Sequence, residues 1–229
     1  MFAKTKNLIL LTGIVFSTAK AFGAPAKDVP TLSSEVNYGP TTYKSELVES
    51  NDTSFSMAYS IQVMAGEDKN LGIGIRNDSN TTAFELNLSE TISTWQDTVI
   101  QYSLHWVYLG VVISNLKMSA TKAEIALFEL TGQGYGGNMG FKFNFGRSGE
   151  FKLDIVSAAI SEVTEINQAA VTFGSRLDID IGAAIDITRR ALDFTFGYKQ
   201  RTRPITLDGT SYSDTISTTY FGLRLATQF

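Results

Sequence analysis

The sequence predicts an all-β fold: an antiparallel up-and-down barrel of about ten strands, with eight or twelve as the neighbouring counts, that crosses a membrane. Three observations carry this. Apolar and polar residues alternate with period two through most of the chain after residue 53, the mark of strands with one apolar face. The polar side of that alternation is rich in small residues: Gly72, Gly74, Gly140, Gly174, Gly182, Ala184, Gly197, Gly222 and Ala226. Glycine weakens a strand that faces water, whereas the crowded interior of a narrow closed barrel requires it. Finally, many of the runs reach the about 9–11 residues that a tilted membrane strand needs, beyond the about 5–6 of soluble strands. The apolar face therefore points to lipid and the polar face inward, the reverse of a soluble barrel.

Composition narrows the field further. A chain of 229 residues without cysteine can hold no disulfide framework, thiol nucleophile or thiolate metal site. A net charge of −4 argues against a nucleic-acid partner. The chain opens on an export signal: Lys4 and Lys6, then the mostly apolar run Asn7 to Ser17, then Ala19-Lys20-Ala21 as a cleavage site, with Ala24-Pro25-Ala26 as a second. That run is too short to span a bilayer. Cleavage after Ala21 makes 1–21 the signal peptide. Residues 22–52, with Pro30 and Pro40 among Ser, Thr, Glu and Asn, read as an N-terminal extension with room for one irregular strand, and 53–229 as the barrel.

The elements follow in order. Phe55, Met57, Tyr59, Ile61 and Val63 share one face of a strand over 53–64. Leu71, Ile73 and Ile75 do so over 70–77, and Phe84, Leu86 and Leu88 over 81–90, with Asp78-Ser79-Asn80 as the turn between them. Ile100, Tyr102, Leu104 and Trp106 define 96–114, although apolar residues fall on both faces of its second half. A strand over 120–130 precedes 135–146, where Met139, Phe141, Phe143 and Phe145 alternate. The last four runs are 150–161, 168–187, 191–206 and 211–229, divided by turn residues that include Arg189-Arg190 and Asp208-Gly209. Trp95, Tyr135, Phe145, Tyr212 and Phe229 lie near strand ends and fit interfacial girdles.

The chain ends on Phe229, with Leu225, Leu223 and Phe221 on the same apolar face. That ending resembles the C-terminal strand of Gram-negative outer-membrane β-barrel proteins. The resemblance implies outer-membrane location, contact with outer-membrane lipid, and transient reading of Phe221, Leu223, Leu225 and Phe229 as a signal by the barrel-assembly machinery.

Hairpin arithmetic turns the polar face into contacts. A two-residue turn at Arg189-Arg190 sets Asp180 against Lys199, Asp178 against Arg201, Arg176 against Arg203 and Asp186 against Asp193. A second at Asp208-Gly209 sets Asp193 against Arg224, Asp214 against Arg203, and Tyr220 over Gly197. Arg224 then relieves the Asp186–Asp193 clash, and Asp178 with Asp214 relieves Arg176–Arg203. A three-residue turn at Arg147-Ser148-Gly149 sets Lys142 against Asp154. Matched charges at matching heights favour a lumen filled by salt bridges and a structural or envelope role. A charge-lined pore for small solutes or ions is the alternative, since a wide pore shows unpaired rings of one sign.

A lipid-modifying enzyme is a distant third reading. The single histidine, His105, follows Ser103, whereas lipid A deacylase barrels place the serine after the histidine. No carboxylate can be assigned to orient it, and the aspartates of 168–187 each have a cationic neighbour in that register. No catalytic residue, metal site or cofactor is expected.

Overall fold

The computed structural model describes residues 30–46, 50–65, 71–86, 89–104, 106–122, 125–145, 149–165, 171–188, 191–207 and 210–228. Extended chain fills nearly all of them, in eleven segments: β1 (Thr31–Ser45), β2 (Ser50–Ala65), β3 (Leu71–Leu86), β4 (Ser89–Leu104), β5 (Val107–Lys122), β6 (Ile125–Phe145), β7 (Gly149–Glu165), β8 (Val171–Phe173), β9 (Ser175–Asp186), β10 (Leu192–Leu207) and β11 (Thr210–Gln228). Apart from β8, which pairs with β10, each segment pairs antiparallel with the next in the order β1 to β7, β9, β10, β11, and β1 pairs β11, so the sheet closes on itself. β10 runs beside β9 for most of its length and then beside β8. β8 and β9 are thus one barrel strand broken at Gly174, whose N–H donates to the Pro204 carbonyl at 2.9 Å. The barrel has ten strands, and closure leaves no edge to cover.

The registers fix its dimensions. A line of paired residues begun at Thr31 passes Met64, Gly74, Gln101, Gly110, Asn138, Val156, Asp178, Arg201 and Ile216, and returns to β1 at Tyr43. The return is twelve residues beyond the start (43 − 31 = 12). Ten strands with that stagger tilt by about 40° and give a backbone radius of about 10 Å. Such a lumen is wide enough to take whole arginine and tryptophan side chains.

Four expectations are corrected. First, residues 31–45 are not an extension: they form β1, which closes the barrel between β2 and β11. The strand was hidden by Pro40. Its missing N–H is tolerated because the β1–β11 ladder steps from Tyr38↔Phe221 to Thr41↔Thr218, passing over Gly39 and Pro40. Second, Asp78-Ser79-Asn80 is not a turn; β3 runs straight through it, pairing with β2 and β4. Third, 96–114 holds a hairpin between Leu104 and Val107, and the expected strands 120–130 and 135–146 are largely the single strand β6. The expected count of about ten therefore came from two strands too few, β1 and one lost by merging β4 with β5, offset by two too many, from splitting β3 and β6. Fourth, Lys142 opposes Lys152, and Asp154 opposes Gly140, because the hairpin closes on Phe145↔Gly149, two residues from the expected register. The signal segment and Phe229 lie outside the described residues.

Candidate functional site

Side chains alternate across the wall as the pleat dictates. The outward set includes Ile73, Ile75, Ile100, Leu109, Val111, Phe194, Phe196, Phe221 and Leu223, all exposed. The inward set includes Arg76, Asp97, Asp154, Arg176, Asp178, Arg201, Arg203 and Asp214, all buried. Polar groups inside and an apolar skin outside define an integral outer-membrane β-barrel. Its candidate site is the lumen.

Toward the end where β1 begins and β11 finishes, called the termini side below, Arg224 reaches Asp193 at 2.7 Å and Glu150 at 2.5 Å, and Glu150 also takes Lys142 at 3.1 Å. Asp186 opposes Asp193 in register and accepts the Thr188 N–H at 2.9 Å. Farther in, Arg76 binds Asp154 at 2.8 Å and Asp78 at 2.7 Å, while Asn138 donates to Asp154. Asp180 faces Lys199 in register, but its ion pair goes to Lys152 at 3.5 Å, and it accepts the Tyr220 hydroxyl at 2.8 Å. Tyr220 lies over Gly197 and Gly182, which leave it the space.

Toward the hairpin tips the lumen closes. Arg176 crosses from β9 to Asp97 on β4 at 2.7 Å and touches Asp178 at 3.3 Å. Arg201 binds Asp178 at 2.7 Å, and Arg203 binds Asp214 at 3.1 Å. Tyr43 donates to Asp214 and Ser114 to Asp97. At the centre stands Trp95, 2% exposed, with the guanidinium carbons of Arg176, Arg201 and Arg203 at 4.7, 4.7 and 5.9 Å from its ring. Three cations and three carboxylates balance around one aromatic ring, an arrangement that stabilises the buried cations through both pairing and cation–π contact. Val99, Val112 and Val156 pack as a small apolar cluster within the same lumen. Between this plug and the termini lies a polar cavity of about 130 Å³, lined by residues that include Glu35, Gln101, Lys142, Lys152, Lys199 and Arg224, with Trp95 and Asp97 at its deep end.

All ten residues expected in the charge ladder lie on inward positions of β9, β10 and β11. The cross-lumen pairs Arg76–Asp154, Asp97–Arg176 and Glu150–Arg224 were not foreseen, since hairpin arithmetic reaches only adjacent strands; Lys152 was missed as well, although its partner Asp180 lies on the adjoining β9. Trp95 corrects the girdle assignment: it points inward, on the parity of Asp97 and Gln101. Continuing the outward parity of Ile100, Tyr102 and Leu104 back along β4 places Trp95 inside. Tyr212 likewise shares the inward parity of Asp214, while Tyr135 and Phe145 are exposed on the outer face. Phe221 and Leu223 also face out. No group of three or more His, Asp or Glu side chains suited to a metal occurs among the described residues, and His105 lies outside them.

No protein-family model and no curated protein sequence matches the chain. Among solved structures it is similar to the outer-membrane protease OmpT of Escherichia coli, at 8% identity over 92% of this chain and 100% of that one, with a TM-score of 0.48. An outer-membrane channel of Pseudomonas putida F1 is similar at 8% identity over 92% and 98%, TM-score 0.49. Neisserial surface protein A is similar at 11% identity over 86% and 96%, TM-score 0.41. At these scores the likeness carries no argument of its own; the class rests on the closed sheet and its inverted polarity.

Proposed function

We propose that the chain is a plugged, non-conducting barrel with a structural role in the outer membrane. The carrying observation is the plug: Arg176, Arg203 and Trp95 are essentially fully buried, and their charges are matched, so little drives water or ions through that level. A non-catalytic role accords with a lumen in which Asp78, Asp97, Glu150, Asp154, Asp178, Asp180, Asp193 and Asp214 are all paired with cations. Planar bilayers test the reading: the purified barrel should leave them silent, and discrete, stable conductance steps would overturn it. The cavity on the termini side is the one observation that favours the second reading, passage of small polar solutes, and the same measurement decides between them.

The partners proposed are the surrounding lipid and, transiently, the assembly machinery, which would read Phe221, Leu223, Leu225 and Phe229. Deleting Phe229 should lower the amount of inserted barrel while leaving the stability of what inserts unchanged. Normal outer-membrane levels without it would remove the assembly reading.

A further inference from the structure

The outer wall carries a pattern that the lumen does not explain. Outward residues are apolar near the termini and then turn polar: Tyr198 to Gln200 on β10, Phe221 to Thr219 on β11, Ile100 to Thr98 on β4, Ile75 to Asn77 on β3, Ile155 to Ser157 on β7. In a barrel of ten strands with a stagger of twelve residues, pairing lines climb by about one residue per strand. Once that climb is removed, these switch points fall at nearly one height, and exposed Tyr38 and Tyr59 fall there too. β2 and β9 keep their apolar faces farther, to Phe55 and Leu177. A tyrosine ring at the level where apolar turns polar marks the edge of hydrocarbon. Beyond it β10 continues for nine residues, from Tyr198 to Leu207 (207 − 198 = 9). A large part of the barrel, Trp95 and its arginines included, therefore stands outside the lipid as a collar.

We infer that the collar is a contact surface for the uncharged sugar headgroups of surrounding glycolipid. It is continuous with the lipid-covered belt below it. Its described outward side chains are mainly hydroxyls and amides, with Lys44, Glu46 and Lys117 as sparse charges and Phe55 and Ile92 as apolar exceptions. Several are already held by one another: Thr98 donates to Asn77 at 2.8 Å, Thr81 and Thr94 are 3.3 Å apart, and Thr206 and Ser211 are 3.0 Å apart. At the boundary the Tyr198 hydroxyl donates to Gln200 at 3.3 Å. A neutral polar surface whose groups are ordered in advance meets a neutral polyol at low desolvation and ordering cost.

The chain has no cysteine, so single labels are clean. Nitroxides at Gln200→Cys, Ser217→Cys and Phe196→Cys are read with a water-soluble nickel chelate and with oxygen. The vesicles are phosphatidylcholine, with or without digalactosyl diacylglycerol as a major component. The collar labels should be open to nickel in phosphatidylcholine and lose that access several-fold with the glycolipid, while the Phe196 site responds to oxygen in both. Gln200 and Ser217 are paired, as are Thr202 and Thr215 beside them. Thr202→Glu with Thr215→Glu should abolish the loss if contact depends on a neutral wall. Persistence of the loss in that variant means crowding alone and overturns the proposal. So do unchanged nickel access, collar labels buried in hydrocarbon, or dipolar broadening that reveals a second copy on the wall. Conductance of the barrel bears on none of these outcomes.

Discussion

Arg224 joins carboxylates from two other strands, Asp193 on β10 and Glu150 on β7. Its side chain is 19% exposed, so the pairing is only partly sheltered from water. Arg224→Ala should cost about 1–3 kcal/mol, below the value for a fully buried pair. A double-mutant cycle with Asp193→Asn should recover part of the loss, and one with Glu150→Gln another part. Zero coupling in both cycles, measured by denaturant unfolding in detergent, would mean that the β10–β11 register is wrong. Gly197 has a different lesson. A residue facing a polar lumen would be expected to tolerate Ser, but a Cβ there would meet the Tyr220 hydroxyl and the Ile181 carbonyl oxygen, both at 2.5 Å. Gly197→Ser should therefore destabilise about as much as Phe196→Arg, whose cost on the lipid face is about 2–4 kcal/mol at the midplane. The two differ in readout: only the arginine should weaken retention in lipid. The charged positions of β9 to β11 were legible because a two-residue turn leaves one register available. The glycine contacts were not, because they depend on which ring leans over the gap.

At the level of strands, β1 is the element whose removal is most informative. It pairs along its whole length with β2 and most of it with β11. Deleting residues 31–45 should abolish the heat-modifiable band of the folded barrel on a gel. A dispensable extension would leave that band in place. Hairpins follow a parity rule. Crossing a two-residue turn moves the outward set from even to odd numbers, as from Ile100, Tyr102 and Leu104 to Val107, Leu109 and Val111. That change was visible as apolar residues on both faces of 96–114, and it marks the turn itself. It went unread because His105-Trp106 contains none of the residues that usually signal a turn; Trp106 instead stacks on Phe141 and Phe143, at 5.6 and 5.5 Å. Asp208-Gly209 carries the usual signal and was placed correctly. The β6–β7 turn was misplaced by two residues, a shift that preserves parity, so every side chain kept its face while the opposed partners changed.

For the whole barrel, fold class and polarity were legible because alternation is a property of the chain alone. Closure across the lumen was not, since Arg176 and Asp97 are 79 positions apart and meet only once the stagger is known. The plug can be tested by removing its centre and keeping its charges. Trp95→Ala leaves the ion pairs of Arg176, Arg201 and Arg203 in place at a cost of about 3–5 kcal/mol for the lost packing. With heat modifiability confirming a folded barrel, this variant should conduct in planar bilayers, and the unaltered protein, plugged as proposed, should not. Silence from the folded variant would locate the seal elsewhere in the lumen.

A barrel plugged as proposed has a consequence for anyone who needs to know which way it points. Lys142, Lys152 and Lys199 line the cavity on the termini side of the plug, whereas Lys44 and Lys117 lie on the outer wall of the collar. An amine reagent that cannot cross the bilayer, added to one face of a sealed vesicle, therefore writes one of two signatures. Modified peptides containing Lys142, Lys152 and Lys199 mean that the reagent shared a compartment with the chain ends; modified Lys44 and Lys117 mean that it shared one with the hairpin tips. The blind interior makes three lysines a compass, readable by mass spectrometry in intact cells without a tag or an antibody.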